Sequence, residues 1–479
     1  MAAMSLAEAL ALSAVAQAEA IRRGELGSEQ LVRGYLARIA RANDRVVAFV
    51  SVFARRAVWS ARRHDDQAVR ARRLGRLHEL GPFHGVPIGV KDLNFVRGAR
   101  SRFGSAGVRL PPSPIDDRTA AQLRRAGFVV LGKLATSEIG AMPVTEPDIH
   151  APTRNPWNLE HTSGGSSGGS GAAVAAGFLP IAQGSDGAGS IRIPSSFCHL
   201  FGHKPSRGRV ANAFGMRDQS ILYTDGPMAR SVADAAALLD VMAGETVGRR
   251  HWAPPPPRPF AELAEQPPRK LRVRVAREIS LAKVEPEILA AVDAVARELA
   301  GLGHEVEDGP HIEADLEEFL PLWQHQIATT PLVDWRRVQP ITRWLYEAGR
   351  RVRARDANRV QRELELRVER WFGADVDVWI TPTVPRLAPR VGEFRVDPGE
   401  DPAEAFGRAA VLGAFTAPFN ICGYPAASYP AAVSKGGLPI GVQIAGRAYA
   451  DATVLQVARS LEQVLPHAQR RAELAAQLA

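Results

Sequence analysis

Residues 163–190 read SGGSSGGSGAAVAAGFLPIAQGSDGAGS, two glycine/serine clusters bracketing a small-residue apolar segment at 172–182. Glycine lets a backbone take turns that other residues resist, and lets it approach a neighbour or a ligand closely. The same composition would suit a flexible linker. A linker, however, opens onto a change of composition, and this stretch runs on into IRIPSSF, which reads as buried. A pair of catalytic loops around a buried segment fits better. Any fold for the chain has to bury that segment and present serines on either side of it.

Upstream, residues 5–75 read as two or three helices, with Ser28 placed as an N-cap and Leu31, Tyr35 and Ile39 on one face. The pattern changes at Gly81. Residues 86–90 form a short apolar strand ending at Lys91 and Asp92, and 119–126 form a helix stopped by Gly127 before a strand at 128–131. Helix and strand keep alternating to about residue 240. They resume after 271, with LRVRVARE, DVWITPTVP and GLPIGVQIAG as strands and DATVLQVARSLEQVL as a terminal helix. Such alternation argues for the α/β class. The proline-rich segment 249–269 reads as an extended surface connection and is the best boundary candidate. Because the alternation continues beyond it, the reading is one domain over 1–479. It comprises N-terminal helices (1–78), a core (79–245), the connection (246–270) and a C-terminal part that completes sheet and pocket (271–479).

Composition removes several functions. Hydrophobic residues make up 46% and charged residues 23%, enough for a large core in a soluble protein. No apolar run is long enough to span a bilayer. The alanine-rich start carries Glu8 and no basic region, so it reads as an amphipathic helix rather than a signal peptide. Cys198 and Cys422 make no disulfide framework and suit a reducing cytoplasm. No His/Cys grouping has metal-ligand spacing, so no metal and no cofactor are expected. The net charge of +9 invites a nucleic-acid reading. Yet the arginines at 55–76, 336–355 and 359–370 are interleaved with acids at helical spacing, as on solvated helix faces. Neither nucleic acid nor membrane is expected as a partner, and oligomeric state stays open. Lysine is scarce: Lys91, Lys133, Lys204, Lys270, Lys283 and Lys435.

There is no phosphate-binding G-x-x-x-x-G-K-[ST], and Gly169-Ser170-Gly171 fails as a dinucleotide fingerprint at Val174. GGSSG does fit G-x-S-x-G with Ser166 or Ser167 as an elbow nucleophile, an α/β-hydrolase esterase reading. The downstream histidines His304, His311 and His325 sit in no distinctive loop. A serine nucleophile also needs a base and donors for the oxyanion. The small residues Gly187, Ala188 and Gly189 leave backbone N–H groups free beside Ser190. A lysine buried at the end of VPIGV would have its amine pKa lowered by several units from about 10.4 and could take a proton. On spacing alone, a strand-end ion pair with Asp92 accounts for Lys91 better.

GVPIGVKDL, GGSSGGSGAAVAAG and GSDGAGSIRIPSSFCHLFGHKPS strongly resemble the motifs of the amidase signature family of serine hydrolases. The likeness extends over most of the chain, through LARIARAN, AGFVVLGK, NPWN, DGPMARSVADAA and the late strands. It implies a mixed, twisted central sheet covered on both sides by helices and a Ser–cis-Ser–Lys triad without cofactor. It assigns Ser190 as nucleophile, Ser166 as the bridging serine after a cis bond from Gly165, and Lys91 as base. The oxyanion would face the N–H groups of Gly187, Ala188, Gly189 and Ser190. Ser167, Asp186 and Arg192 would fix the loops, and Cys198 falls at a structural position. The activity implied is hydrolysis of amide-type C–N bonds in small aryl or alkyl amides, with carbamates of the urethanase or aryl acylamidase branch as a finer expectation. The aspartate that holds an amine in tRNA-dependent glutamine amidases is replaced here by Gly413 or Ala414, which weakens that role. Specificity walls are expected from 140–143, 207–216, 311–350 and 385–410, with Ala141, Met142, Phe214, Trp323 and Trp335 as apolar lining and Arg209 at an entrance.

Overall fold

The computed structural model describes residues 4–211, 222–244, 251–330 and 333–465. Eleven of the described strands form one mixed sheet. From edge to edge it runs Phe49–Val52, Val129–Leu134, Pro87–Lys91, Ile181–Asp186, Thr224–Ala229, Phe201–Lys204, Ala426–Val433, Pro439–Gly446, Val378–Pro382, Arg272–Val275 and Glu305–Asp308. Pro87–Lys91 is parallel to both of its neighbours, the middle of the sheet is antiparallel, and Arg272–Val275 is parallel to both of its own. Helices flank it, as the α/β reading expects. No described helix is long and apolar enough to cross a membrane.

The central strands are buried along their whole length. Strands covered on both faces are normally continuous apolar runs. Here IAQGSD carries Gln183, Ser185 and Asp186 inside, so those polar groups must find partners within the protein. The parallel strands Pro87–Lys91 and Ile181–Asp186 both finish at the same end of the sheet, where open α/β sheets place their sites. Between them packs the helix Gly168–Ala175, almost wholly buried. Its glycines let it sit on the sheet. A Cβ on Gly169 would stand 2.3 Å from the backbone nitrogen of Ala135. The main apolar core surrounds the sheet, and a second apolar cluster joins Ala141, Met142 and Val144 to residues of the helices Leu316–Ala328, Pro340–Gly349, Ala354–Phe372 and Pro402–Ala410.

Three local expectations need correction. Ser28 is the first helical residue, not the cap; its hydroxyl donates to the Gly85 carbonyl, and Asp65 accepts from the N–H groups of Ser28 and Glu29. The N-terminal helix is two, Leu6–Ala11 and Ala14–Arg23, with Ser13 capping the second and Asp234 accepting from Ala14 and Val15. The proline-rich segment is not simply an extended connection. It contains the helix Phe260–Ala264, whose first N–H groups donate to Asp240 and whose Phe260, Leu263 and Ala264 are buried against Val232–Met242 and Asp451–Val464. The sheet is continuous across this segment, joined where Phe201–Lys204 pairs with Ala426–Val433.

Candidate active site

The two glycine/serine clusters form the turns that follow Asn158–Thr162 and Ile181–Asp186, and each opens onto a short helix. The Gly165–Ser166 peptide is cis. Lys91, wholly buried at its strand end, is 2.7 Å from Ser166 Oγ, 2.8 Å from Ser167 Oγ and 2.9 Å from Ser185 Oγ, with the Ser185 carbonyl at 3.4 Å. Asp92 is not its partner. Successive side chains on a strand point to opposite faces, and Asp92 instead meets Lys133 at 2.9 Å. Among the described residues every hydrogen-bonding partner of the Lys91 amine is therefore neutral. Burial lowers its pKa from 10.5 to about 7, against the pull of the Asp225 and Asp186 carboxylates.

A neutral amine has a lone pair that needs a donor. Ser167 spends its proton on the Ser185 carbonyl at 3.0 Å. Ser185 accepts from Lys91 while facing Tyr223. Ser166 is the hydroxyl left to donate into that lone pair, and it also lines a small cavity with Ser190, Gly187, Ser185 and Tyr223. The histidines that an elbow-serine reading would need bond elsewhere: His304 to the Leu271 N–H, His325 to the Val352 carbonyl, and His311 near Glu278 at the surface.

The turn carrying Ser190 is held from below. Asp186 accepts from the N–H groups of Gly189 (2.7 Å) and Ile191 (3.1 Å) and from the guanidinium of Arg192. Burial alone would raise the Asp186 pKa; Arg192 outweighs it and holds the carboxyl well below the usual range. All five Arg192 donors are used, on Asp186, Asn420, the Thr416 carbonyl and Gln443. Gly189, at φ +127, is removed from the expected oxyanion donors, because that backbone turns its N–H onto Asp186. The N–H groups of Gly187, Ala188 and Ser190 take no hydrogen bond among the described residues. Thr416 Oγ1 donates to the Ala188 carbonyl at 2.7 Å and pins the turn. Buried Cys198 lies 3.7 Å from the Ser163 carbonyl, its thiol pKa pushed up by burial.

Ser190 lies on the wall between that small cavity and a larger apolar one. Trp323 faces both, and its ring edge rests 3.4 Å from where a Gly187 Cβ would be. Ala141 and Met142 line the larger cavity as expected, and so do Gly413 and Ala414, which put no carboxylate there. Three other expectations fail or fall outside. Arg209 is buried, paired with Asp451, bonded to the Pro254 carbonyl and stacked on Phe260, so it straps the proline segment down and gates nothing. Trp335 stacks on Tyr346, 3.8 Å between ring centres, away from the cavity lining. Phe214 lies outside the described residues. The wall that sequence reasoning missed is Leu364, Val368 and Trp371 of the helix Ala354–Phe372. Ser185, Thr416, Asn420 and Gln443 were missed too. Their signal was polar side chains inside segments that read as buried, the informative exception to apolar burial.

The family model described as Amidase matches residues 30–330 and 313–455. The chain belongs to the amidase family. It is 37% identical over 492 residues to the 6-aminohexanoate-cyclic-dimer hydrolases of Pseudomonas sp. (strain NK87) and of Paenarthrobacter ureafaciens, covering 96% of this chain and 96% of each of them. A solved structure of a 6-aminohexanoate cyclic dimer hydrolase complexed with substrate superposes with a TM-score of 0.85 at 34% identity, over 97% of this chain and 99% of that one. Family membership makes the chain a hydrolase of amide C–N bonds and confirms the expected fold.

Proposed function

We propose that this amidase cleaves small, uncharged amides through a serine acyl-enzyme, with Ser190 as nucleophile, Ser166 as proton relay and Lys91 as base. The observation that carries this reading is a fully buried amine whose contacts are all neutral and whose nearest one is Ser166 Oγ at 2.7 Å. Ser190 Oγ attacks the carbonyl carbon while its proton passes to Ser166, and the Ser166 proton passes to Lys91. The oxyanion faces the free N–H groups of Gly187, Ala188 and Ser190, fixed donors of the kind that stabilise such intermediates most. The same path then runs backwards. Lys91 returns a proton through Ser166 to the nitrogen, the C–N bond breaks, and a neutral amine leaves. Water repeats the attack on the acyl-enzyme and releases the acid.

For the substrate, the lining of Met142, Phe319, Trp323, Trp371 and Ile421 suits an aryl or alkyl group. The cyclic-dimer hydrolases it resembles act, by name, on an aliphatic amide. A carbamate differs only by an alkoxy group on the acyl carbon, so the same triad would accept one. The test is labelling by a sulfonyl fluoride followed by peptide mapping, with a panel of anilides, aliphatic linear and cyclic amides, esters and aryl carbamates. The label is expected on Ser190, with Ser190→Ala and Lys91→Ala folded and inactive. A label on Ser166, or turnover by Ser190→Ala, refutes the mechanism.

A further inference from the structure

Charges beneath the site pair off in a telling way. Asp186 is met by Arg192, with buried Lys204 acting on it from further away, and Asp92 is met by Lys133. Asp117 rests on the backbone N–H groups of Phe95 and Ala120 at the start of the helix Arg118–Arg125. Among the described residues the Lys91 amine bonds only to hydroxyls and a carbonyl. Among the described residues Asp225, wholly buried, accepts only from neutral donors: Thr119 Oγ1 at 2.6 Å, Asn94 Nδ2 at 3.2 Å and Tyr223 Oη at 2.7 Å. Among the described residues Lys91 and Asp225 have no ion-pair partner, as Lys204 and Asp117 also have none, and the Lys91 amine and the Asp225 carboxyl act on each other's charge.

They are also connected. Asp225 stands opposite Ser185 in the antiparallel pair of Thr224–Ala229 with Ile181–Asp186. Ser185 Oγ accepts from Lys91 and shares a side-chain hydrogen bond with Tyr223, whose hydroxyl donates to Asp225. The chain of contacts runs from amine to hydroxyl to phenol to carboxylate without a break. A buried carboxylate with no cation of its own is costly.

We propose that Asp225 is a positioning residue of the reaction, supplying through Tyr223 and Ser185 the negative charge against which Lys91 becomes an ammonium when Ser190 gives up its proton. Burial raises the Asp225 pKa, and Thr119, Tyr223, Asn94 and the Lys91 charge pull it back toward the carboxylate; the proton of the reaction travels only from Ser190 through Ser166 to Lys91 and back to the leaving nitrogen. The inference rests on the reading of Lys91 as base.

The experiment is the pH profile of kcat/KM for wild type, Asp225→Asn and Tyr223→Phe on one chromogenic amide. Without the carboxylate the ammonium form of Lys91 loses its support. The acid limb of Asp225→Asn should move to lower pH by about one unit, the scale of a neighbouring opposite charge. Its plateau should fall about tenfold, because the amine is then a weaker base. Tyr223→Phe, which removes the phenol between Ser185 and Asp225, should move the limb the same way by less, and it decides the matter where Asp225→Asn does not fold. A merely structural Asp225 lowers the plateau and leaves the limb in place, which overturns the proposal. A wild type with no limb at all, or an active Lys91→Ala, removes the Lys91 reading itself and this proposal with it.

Discussion

The strongest test of the site is to read Lys91 by its proton. At its ordinary value of 10.5 the amine would be neutral in only about 3 molecules in 10⁴ at pH 7, whereas a value of about 7 leaves half of it neutral. Burial therefore supplies about 10³-fold more free base at neutral pH. The neutral form is the active one and its folded pKa is depressed. So kcat/KM should climb about tenfold per pH unit below about 7 and level off above it. The same group acts on stability. Between about 7 and 10.5 the unfolded chain holds the extra proton, so its contribution to stability rises with pH across that window. The perturbation is Lys91→Arg, which keeps the charge and the donors but cannot be neutral at any working pH. A loss of at least about 10³-fold is expected, from the neutral fraction alone. The assay is initial rate on a p-nitroanilide between pH 5 and 10, with circular dichroism to confirm the fold. A flat wild-type profile from pH 5 to 7, or substantial turnover by Lys91→Arg, would falsify the base assignment.

Other substitutions probe the frame around that proton. Gly189→Ala adds a Cβ that would stand 2.2 Å from Thr416 Oγ1 at a φ of +127, so the turn must move; kcat should drop about 100-fold and the melting temperature should fall as well. Arg192→Met strands the Asp186 carboxylate in the interior and should cost about 3–5 kcal/mol by urea unfolding. Because the Asp186 pKa is depressed in the fold, that difference should shrink as pH falls below the ordinary aspartate range. Arg209→Ala should leave kcat/KM within about twofold while lowering stability by about 3 kcal/mol and exposing the proline segment to protease, since Arg209 ties Asp451 to Pro254 and Phe260.

Much of this was legible because it was local. The strand ending at Lys91, the paired loops and the fastening of Asp186 by Arg192 all lie in short, ordered motifs, and periodicity placed most helices and strands around them. What was not legible depends on contacts between segments far apart in sequence. Asp65 caps a helix that begins 37 residues earlier, and Asp234 caps one that begins 220 residues before it. Nothing near Ser28 or Ala14 announces either. The cavity wall from Ala354–Phe372 has the same cause: Leu364, Val368 and Trp371 recur at helical spacing whether they meet core or substrate. Arg209 was misplaced because a lone arginine in a loop gives no sign of a buried aspartate more than two hundred residues away.

The lysine/aspartate pairing shows where spacing misleads and how to test it. Adjacent Lys91 and Asp92 look like an ion pair, and in that pairing the amine would remain an ammonium. The strand separates them, because the parallel register sets Val90 against Lys133 and sends Asp92 to that second buried lysine. The two lysines thus divide the work by what each can reach: Lys133 meets Asp92, and Lys91 is left with hydroxyls and a carbonyl. Asp92→Asn should therefore act on Lys133. Stability should fall by about 3–5 kcal/mol, the cost of breaking a buried pair, while the acid limb of kcat/KM stays at about 7. Were Lys91 the true partner of Asp92, removing the carboxylate would free the amine and carry the limb toward lower pH. One pH profile on a folded Asp92→Asn separates the two, because only the second arrangement couples that residue to the proton on Lys91.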